Sequence, residues 1–278
     1  MSTENALLTI LVEKINNDTL VLPTLPAIAL KVRKAADDPE VNLNSMADVI
    51  ALDPSLSARI IKISNSAYLG RAVKVENINQ AVTRIGLTQI KNIATALAME
   101  QLFVSKNKVV KGYINKIWDR TIEVVANALA LHQFYVKDTK DKRLNVDSMT
   151  LAGLMHNIGV LPILTEAERH EEVFANPAFL NASVQKMSGR IGGAITREWG
   201  FGEEFVIVAE SWRNLKVQTE QVSYLDFIRL ASAIAGFINS QKDAIMNLSM
   251  QKNMMSDYGI IDTDEYNDAK EAAKLVFK

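Results

Sequence analysis

His156 and Asn157, adjacent within AGLMHNIG, are the residues whose types come nearest to hydrolytic chemistry in this chain. An imidazole beside a carboxylate can hold a divalent cation, which lowers the pKa of bound water and braces a phosphate. Here the second residue is an amide, neutral and a poor ligand, so the pair supplies half of such a site. His132 lies far along another helix, and His170 sits in the charged run EAERHEE, which reads as a solvated face. No phosphate-cradling GxxxxGK loop, no HExxH and no GxSxG elbow occurs. GRIGGAI at 189–195 is glycine-rich but lacks the preceding strand a nucleotide loop needs, so it reads as a tight helix–helix contact. The absence of cysteine removes thiol nucleophiles, thiolate metal sites and disulfides together.

The elements that must position these residues are helical. Leu56, Ile60, Ile63 and Ala67 share one helix face, as do Ile117, Trp118, Thr121, Val125 and Ala128. Leu151, Leu154, Met155 and Ile158 repeat the spacing, and so do Tyr224, Phe227, Ile228, Ala231, Ile234 and Ile238. Asp53 before Pro54 is an N-cap followed by proline at the first helical position. Asp147, and Asp262 with Glu265 three residues on, predict further helix starts. Strand alternation is nearly absent, and an all-α fold follows.

Composition narrows the function classes. With 31 basic against 32 acidic residues among 278, the net charge of −1 creates no overall field for nucleic acid or anionic membrane. The basic stretches Ser105–Lys111 and Lys137–Asn145 lack interleaved aromatics and read as solvated connectors. No apolar run approaches the ~18 residues of a membrane span, and the N-terminus does not read as a signal peptide. A cytoplasmic protein is expected. Beyond residue 240, Met246, Met250, Met254 and Met255 read as gap-filling core residues before a short helix at 263–277.

Several blocks together resemble the HDOD domain, a helical relative of the HD phosphohydrolases found in bacterial signalling proteins. They are LPTLPAIALKV at 22–32, DPSLSARIIKISNSAYLG at 53–70 and INQAVTRIGLTQIKN at 78–92. Trp118 on a long helix, GLMHNIG at 153–159, GRIGGAITREWGF at 189–201 and a final helix at 224–240 carry the likeness onward. The resemblance implies an N-terminal helix at 1–19, an HDOD domain at 20–240 and a C-terminal tail at 241–278. The domain would hold an N-terminal half at 20–104 and an HD-like half at 110–240, two packed helical sub-bundles.

The same resemblance locates the metal ligands of active HD enzymes. The first histidine falls on Arg120, the His-Asp pair on His156 and Asn157, and the final aspartate on Ser232. The extra histidines of two-metal relatives fall near Ser188 and near Trp212-Arg213. Two unit charges of like sign ~4 Å apart repel by ~4 kcal/mol at an effective dielectric of ~20, and a divalent ion doubles that. An always-protonated arginine in the ligand set therefore opposes a cation, and His156 alone does not offset it. His156 then reads as a core histidine and Asn157 as a helix terminator.

The expectation is a non-catalytic signalling or regulatory module without cofactor or metal. Its partners would be signalling proteins of a two-component or cyclic-dinucleotide pathway, with neither nucleic acid nor membrane. A ligand or partner would meet Asn65, Tyr68, Trp118, Arg120, His156, Asn157 and Trp212 in a cleft between the halves. Each of these also has a packing role to weigh against that: Asn65 as a helix cap, Trp118 as a core anchor. A buried Arg120 would need an anion, either Glu210 or a ligand phosphate. The alternatives are a metal-dependent phosphohydrolase acting on nucleotides or cyclic dinucleotides, and a protein that binds nucleotides without hydrolysing them.

Overall fold

A computed structural model of the chain describes residues 3–66, 73–169, 177–255, 257–275 and 277. Among the described residues the regular elements are all helices. In chain order they are α1 (Thr3–Asn16), α2 (Ala27–Ala36), α3 (Leu43–Ala51), α4 (Pro54–Ser64), α5 (Ile78–Ile85), α6 (Leu87–Ala98) and α7 (Lys108–Thr139). There follow α8 (Val146–Met155), α9 (Val160–Ala167), α10 (Pro177–Glu198), α11 (Glu203–Ser211), α12 (Tyr224–Ile234), α13 (Lys242–Gln251) and α14 (Asp264–Lys274). The all-α reading of the sequence holds.

The helix punctuation follows local chemistry. Asp53 caps α4 by accepting from the Leu56 amide at 3.0 Å, with Pro54 opening the helix. Gly86, at φ 90°, both ends α5 and begins α6, a conformation that an L side chain resists. Two starts differ from expectation. Asn145, not Asp147, caps α8 by accepting from the Ser148 amide at 3.0 Å. Asp147 lies inside the first turn, where its carboxylate accepts from Asn92 Nδ2 at 2.8 Å. At α14 the cap is Thr263, whose Oγ1 accepts from the Tyr266 amide, rather than Asp262. The helix expected over 224–240 stops at Ile234. The Gly236 amide bonds to the Ala233 carbonyl, the Phe237 amide reaches back to Ser232, and Gly236 takes φ 76°.

The chain divides into two compact units. One comprises 1–24, 102–121 and 155–218; the other comprises 25–101, 122–154 and 219–278. Helix α7 contributes to both.

In the first unit α1 lays Leu7 and Leu11, both at most 1% exposed, against α9 and α10. Lys14 Nζ pairs with the buried Glu166 carboxylate at 2.7 Å. Helices α10 and α11 pack so closely that glycine is required between them. A Cβ on Gly189 would overlap the Glu210 carbonyl oxygen, and one on Gly192 would lie 3.0 Å from that of Ala209. GRIGG is thus a helix-contact motif, as its lack of a strand predicts.

In the second unit α2 packs on α6, and α3 on α5, around Val32, Met46, Ile50, Ile60 and Val82. The C-terminal segment is part of this unit: Tyr266, 1% exposed, donates its hydroxyl proton to Asn127 Oδ1 of α7 at 2.8 Å. Lys252 Nζ pairs with Asp226 at 2.8 Å, tying α13 to the start of α12. Met254 and Met255 are buried as expected, whereas Met250 is exposed. The run Val146–Ala167, 22 residues through α8 and α9, is long and apolar enough to cross a membrane, contrary to the sequence reading. Its apolar window is 89% buried inside the fold, as befits a core element.

Candidate functional site

The site is built by three backbone segments of the first unit. Helix α8 ends at Met155, and the chain turns through His156, Asn157 and Ile158 to Gly159. Gly159 passes directly over α10, where a Cβ would overlap the Ser188 carbonyl oxygen and crowd the Gly192 amide. That contact sets Asn157 beside Ser188. Helix α11, held on α10 by the glycine stripe, ends at Ser211 and delivers Trp212 and Arg213 to the same place.

Arg213 is the centre of the arrangement. Its Nη1 donates to Ser188 Oγ at 3.0 Å and to Asn157 Oδ1 at 3.3 Å. Its guanidinium carbon stands 3.8 Å from the centroid of the Trp212 ring, a stacked cation–π contact. The His156 ring meets Trp212 edge-on, centroids 4.8 Å apart at 80°. His156, Ser188 and Trp212 are all buried. Burial, and after it the positive charge of Arg120, push the Arg213 guanidinium down to about 10, so it stays protonated at neutral pH.

The expected site residues divide. His156, Asn157 and Trp212 come together, and Arg120 lies near enough for its charge to be felt by Arg213. Arg120 is exposed rather than buried, and Glu210, considered as its partner, pairs with Arg197. Trp118 packs on Phe103, ring centroids 4.9 Å apart, within the same unit. Asn65, in the other unit, closes its own loop: its amide donates to Ile61 and Val75 carbonyls, and its Oδ1 accepts from the Val75 amide at 2.8 Å. This is the capping role that Asn so often plays. Tyr68, with Ala67, Gly70 and His170, lies outside the described residues.

Two residues central to the cluster, Ser188 and Arg213, are missing from the sequence-derived site. The signal was present, since both were the positions where two-metal relatives place further histidines. A lone arginine closing an apolar helix in ESWRN is also a charge in need of a partner.

The metal implied by the HD resemblance does not fit these residues. Where a carboxylate would stand, Asn157 Oδ1 accepts a hydrogen bond from a cation. Ser232 is fully buried, and its Oγ has no hydrogen bond among the described residues. Among the described residues no three His, Asp or Glu side chains gather as ligands. The remaining buried histidine is spoken for as well. His132 Nε2 lies 3.0 Å from the Leu144 carbonyl, with its ring edge-on to Phe227.

A helical scaffold with a modified His-Asp pair at a helix end defines a member of the wider HD-like class. Residues 22–214 match the HDOD domain family, and the chain belongs to that family. A crystal structure from Shewanella amazonensis SB2B, of a protein provisionally named a metal-dependent phosphohydrolase, superposes with a TM-score of 0.94. It is 42% identical, and the alignment covers 100% of both chains. A protein from Marinobacter aquaeolei VT8, provisionally named a signal transduction protein, shares the fold at TM-score 0.63 and 18% identity, over 99% of this chain and 65% of that one. An uncharacterised protein of Treponema pallidum (strain Nichols) is 26% identical over 211 residues, 72% of this chain. The chain spans only 39% of the length of that curated relative.

Proposed function

We propose that this protein is a non-catalytic regulatory module of the HDOD family, working through protein partners in bacterial signal transduction. One observation carries the reading: a guanidinium is hydrogen-bonded to the amide that replaces the HD carboxylate. A divalent ion ~4 Å from such a charge would be repelled by ~8 kcal/mol at an effective dielectric of ~20. Coordination by His156 alone does not offset that, because hard cations need anionic oxygen ligands. The signalling context is supported by the family and by the name of the Marinobacter relative. Two-component and cyclic-dinucleotide proteins of the cytoplasm are the partners to test.

The name of the Shewanella relative favours a second reading, a metal-dependent phosphohydrolase of nucleotides or cyclic dinucleotides. Elemental analysis of purified protein, with a nucleotide and phosphodiester panel, separates the two. The regulatory reading expects no stoichiometric Mn, Fe, Ni or Mg and no turnover. One equivalent of metal, lost in His156→Ala, would establish the phosphohydrolase instead.

A further inference from the structure

The opening turns of α7 combine choices that each cost the isolated chain something. The first turn carries no acid, and Lys108 and Lys111 stand near the positive end of the helix dipole, where carboxylates are favoured. No Asp or Glu occurs between Phe103 and Asp119 to offset them, and Lys116 adds a further cation. The side chains of Lys108, Lys111 and Lys116 are exposed and make no hydrogen bond or ion pair among the described residues. Gly112 sits inside the helix, where glycine is less stable than alanine, yet no neighbour requires it: a Cβ would meet nothing within 4 Å. Val109, 53% exposed, Gly112 and Lys116 follow at i, i+3 and i+7, with Lys108 four residues before Gly112 and Lys111 three after Lys108. These residues therefore share one face.

Local rules broken together in one place mark a surface whose return lies outside the chain's own fold. A helix bringing negative charge and an apolar side chain would answer all of them, and α14 is such a helix. Asp264 and Asp268, four residues apart on one face, are exposed and make no side-chain hydrogen bond or ion pair among the described residues. Leu275, seven residues after Asp268 and so on the same side, is 57% exposed. The near-neutral chain thus holds one face of each sign. We propose that the basic face of α7 docks on the acidic face of α14 of a second copy of this chain. The lysines then meet Asp264 and Asp268, the absent Cβ of Gly112 lets the two helices approach closely, and Val109 and Leu275 leave water. Because every copy carries both faces, the contact either closes into a two-fold pair or continues from copy to copy. Exposed ion pairs are individually weak and screened by salt, so the association is reversible and salt-sensitive. It is independent of whether His156 holds a metal.

The test is sedimentation velocity on the full chain, up to about 0.5 mM protein, in about 0.1 M and about 1 M NaCl, between which the screening length falls from roughly 10 to 3 Å. The wild type should associate reversibly at the lower salt and about tenfold or more weakly at the higher. Lys111→Glu with Lys116→Glu makes both faces acidic, and Asp264→Lys with Asp268→Lys makes both basic. Each double variant should weaken self-association about tenfold or more, since attraction becomes repulsion. An equimolar mixture of the two should associate again, because the reversed faces match. Far-UV circular dichroism checks folding. Should a double variant not fold, Lys116→Glu and Asp268→Lys alone replace the pairs, with losses of about threefold and the same recovery on mixing. A wild type that stays monomeric, association that salt strengthens, or variants that do not recover on mixing each overturns the inference. Loss in the lysine variant alone also overturns it, and would give the basic face to an acidic partner other than this chain. A monomeric wild type that sediments with phosphatidylserine vesicles would overturn it in favour of a membrane.

Discussion

Asn157 differs from an aspartate by one group, and around Arg213 that difference sets the electrostatics of the whole cluster. With an amide at 157 the guanidinium keeps its net charge; with a carboxylate it would form a short ion pair. Asn157→Asp is therefore expected to stabilise the protein by about 1 kcal/mol, the gain from converting a neutral acceptor to a charged one less its desolvation. It should also leave metal content at zero. A lowered thermal midpoint would show that Arg213 already has its counter-charge. A second residue sets a pH response. Burial, more than anything else, holds the His132 imidazole below its ordinary 6.5. The unfolded chain then takes up the proton first as pH falls. The contribution of His132 is fully present above about pH 6.5 and declines as pH drops from there towards the lower folded value. His132→Gln should flatten the stability slope between pH 7 and 5 in chemical denaturation. An unchanged slope would mean that His132 titrates normally in the fold.

Among the helices, the contacts that assemble the site are backbone contacts, which is why glycine is required. The Gly159 Cα faces the carbonyl of Ser188 with no room for a methyl group. Gly159→Ala must push α10 away from the turn that carries Asn157, at an expected cost of about 3 kcal/mol. Gly112→Ala, where a new Cβ meets nothing within 4 Å, should be neutral or slightly stabilising. Urea melts of the two variants check both, and a neutral Gly159→Ala would refute the close approach. Periodicity made most helices legible, because an apolar repeat of 3.6 residues matches the helical turn and no strand spacing. The starts of α8 and α14 were displaced by one or two residues for a specific reason. Asn145 and Asp147, like Asp262 and Thr263, offer two competent caps within three positions, and only the packing decides between them. The end of α12 was overrun because Ile238 keeps the apolar spacing beyond the point where Gly236 breaks the backbone.

Across the whole molecule, the family could be read from ordered blocks of sequence, but the site could not be completed from them. Motif spacing located His156, Asn157 and Trp212, whereas Arg213 is joined to Asn157 and to Ser188 only by hydrogen bonds across 56 and 25 residues of chain. Such contacts leave no local pattern. The C-terminal segment was equally unreadable, since Tyr266 reaches Asn127 across 139 positions. Linkage gives the last test at this scale. A metal that binds the folded chain at a hundredfold its dissociation constant stabilises it by about 2.7 kcal/mol, worth roughly 5–10 °C in a chain of this size. A ligand set led by Arg213 and Asn157 supplies no such coupling. The melting midpoint should therefore be the same in 1 mM EDTA and in 1 mM MnCl2 at matched ionic strength. A rise of several degrees with Mn, absent from His156→Ala, would mean that carboxylates from elsewhere in the chain complete a metal shell around His156. The cationic cluster would then be an accessory to catalysis rather than its replacement.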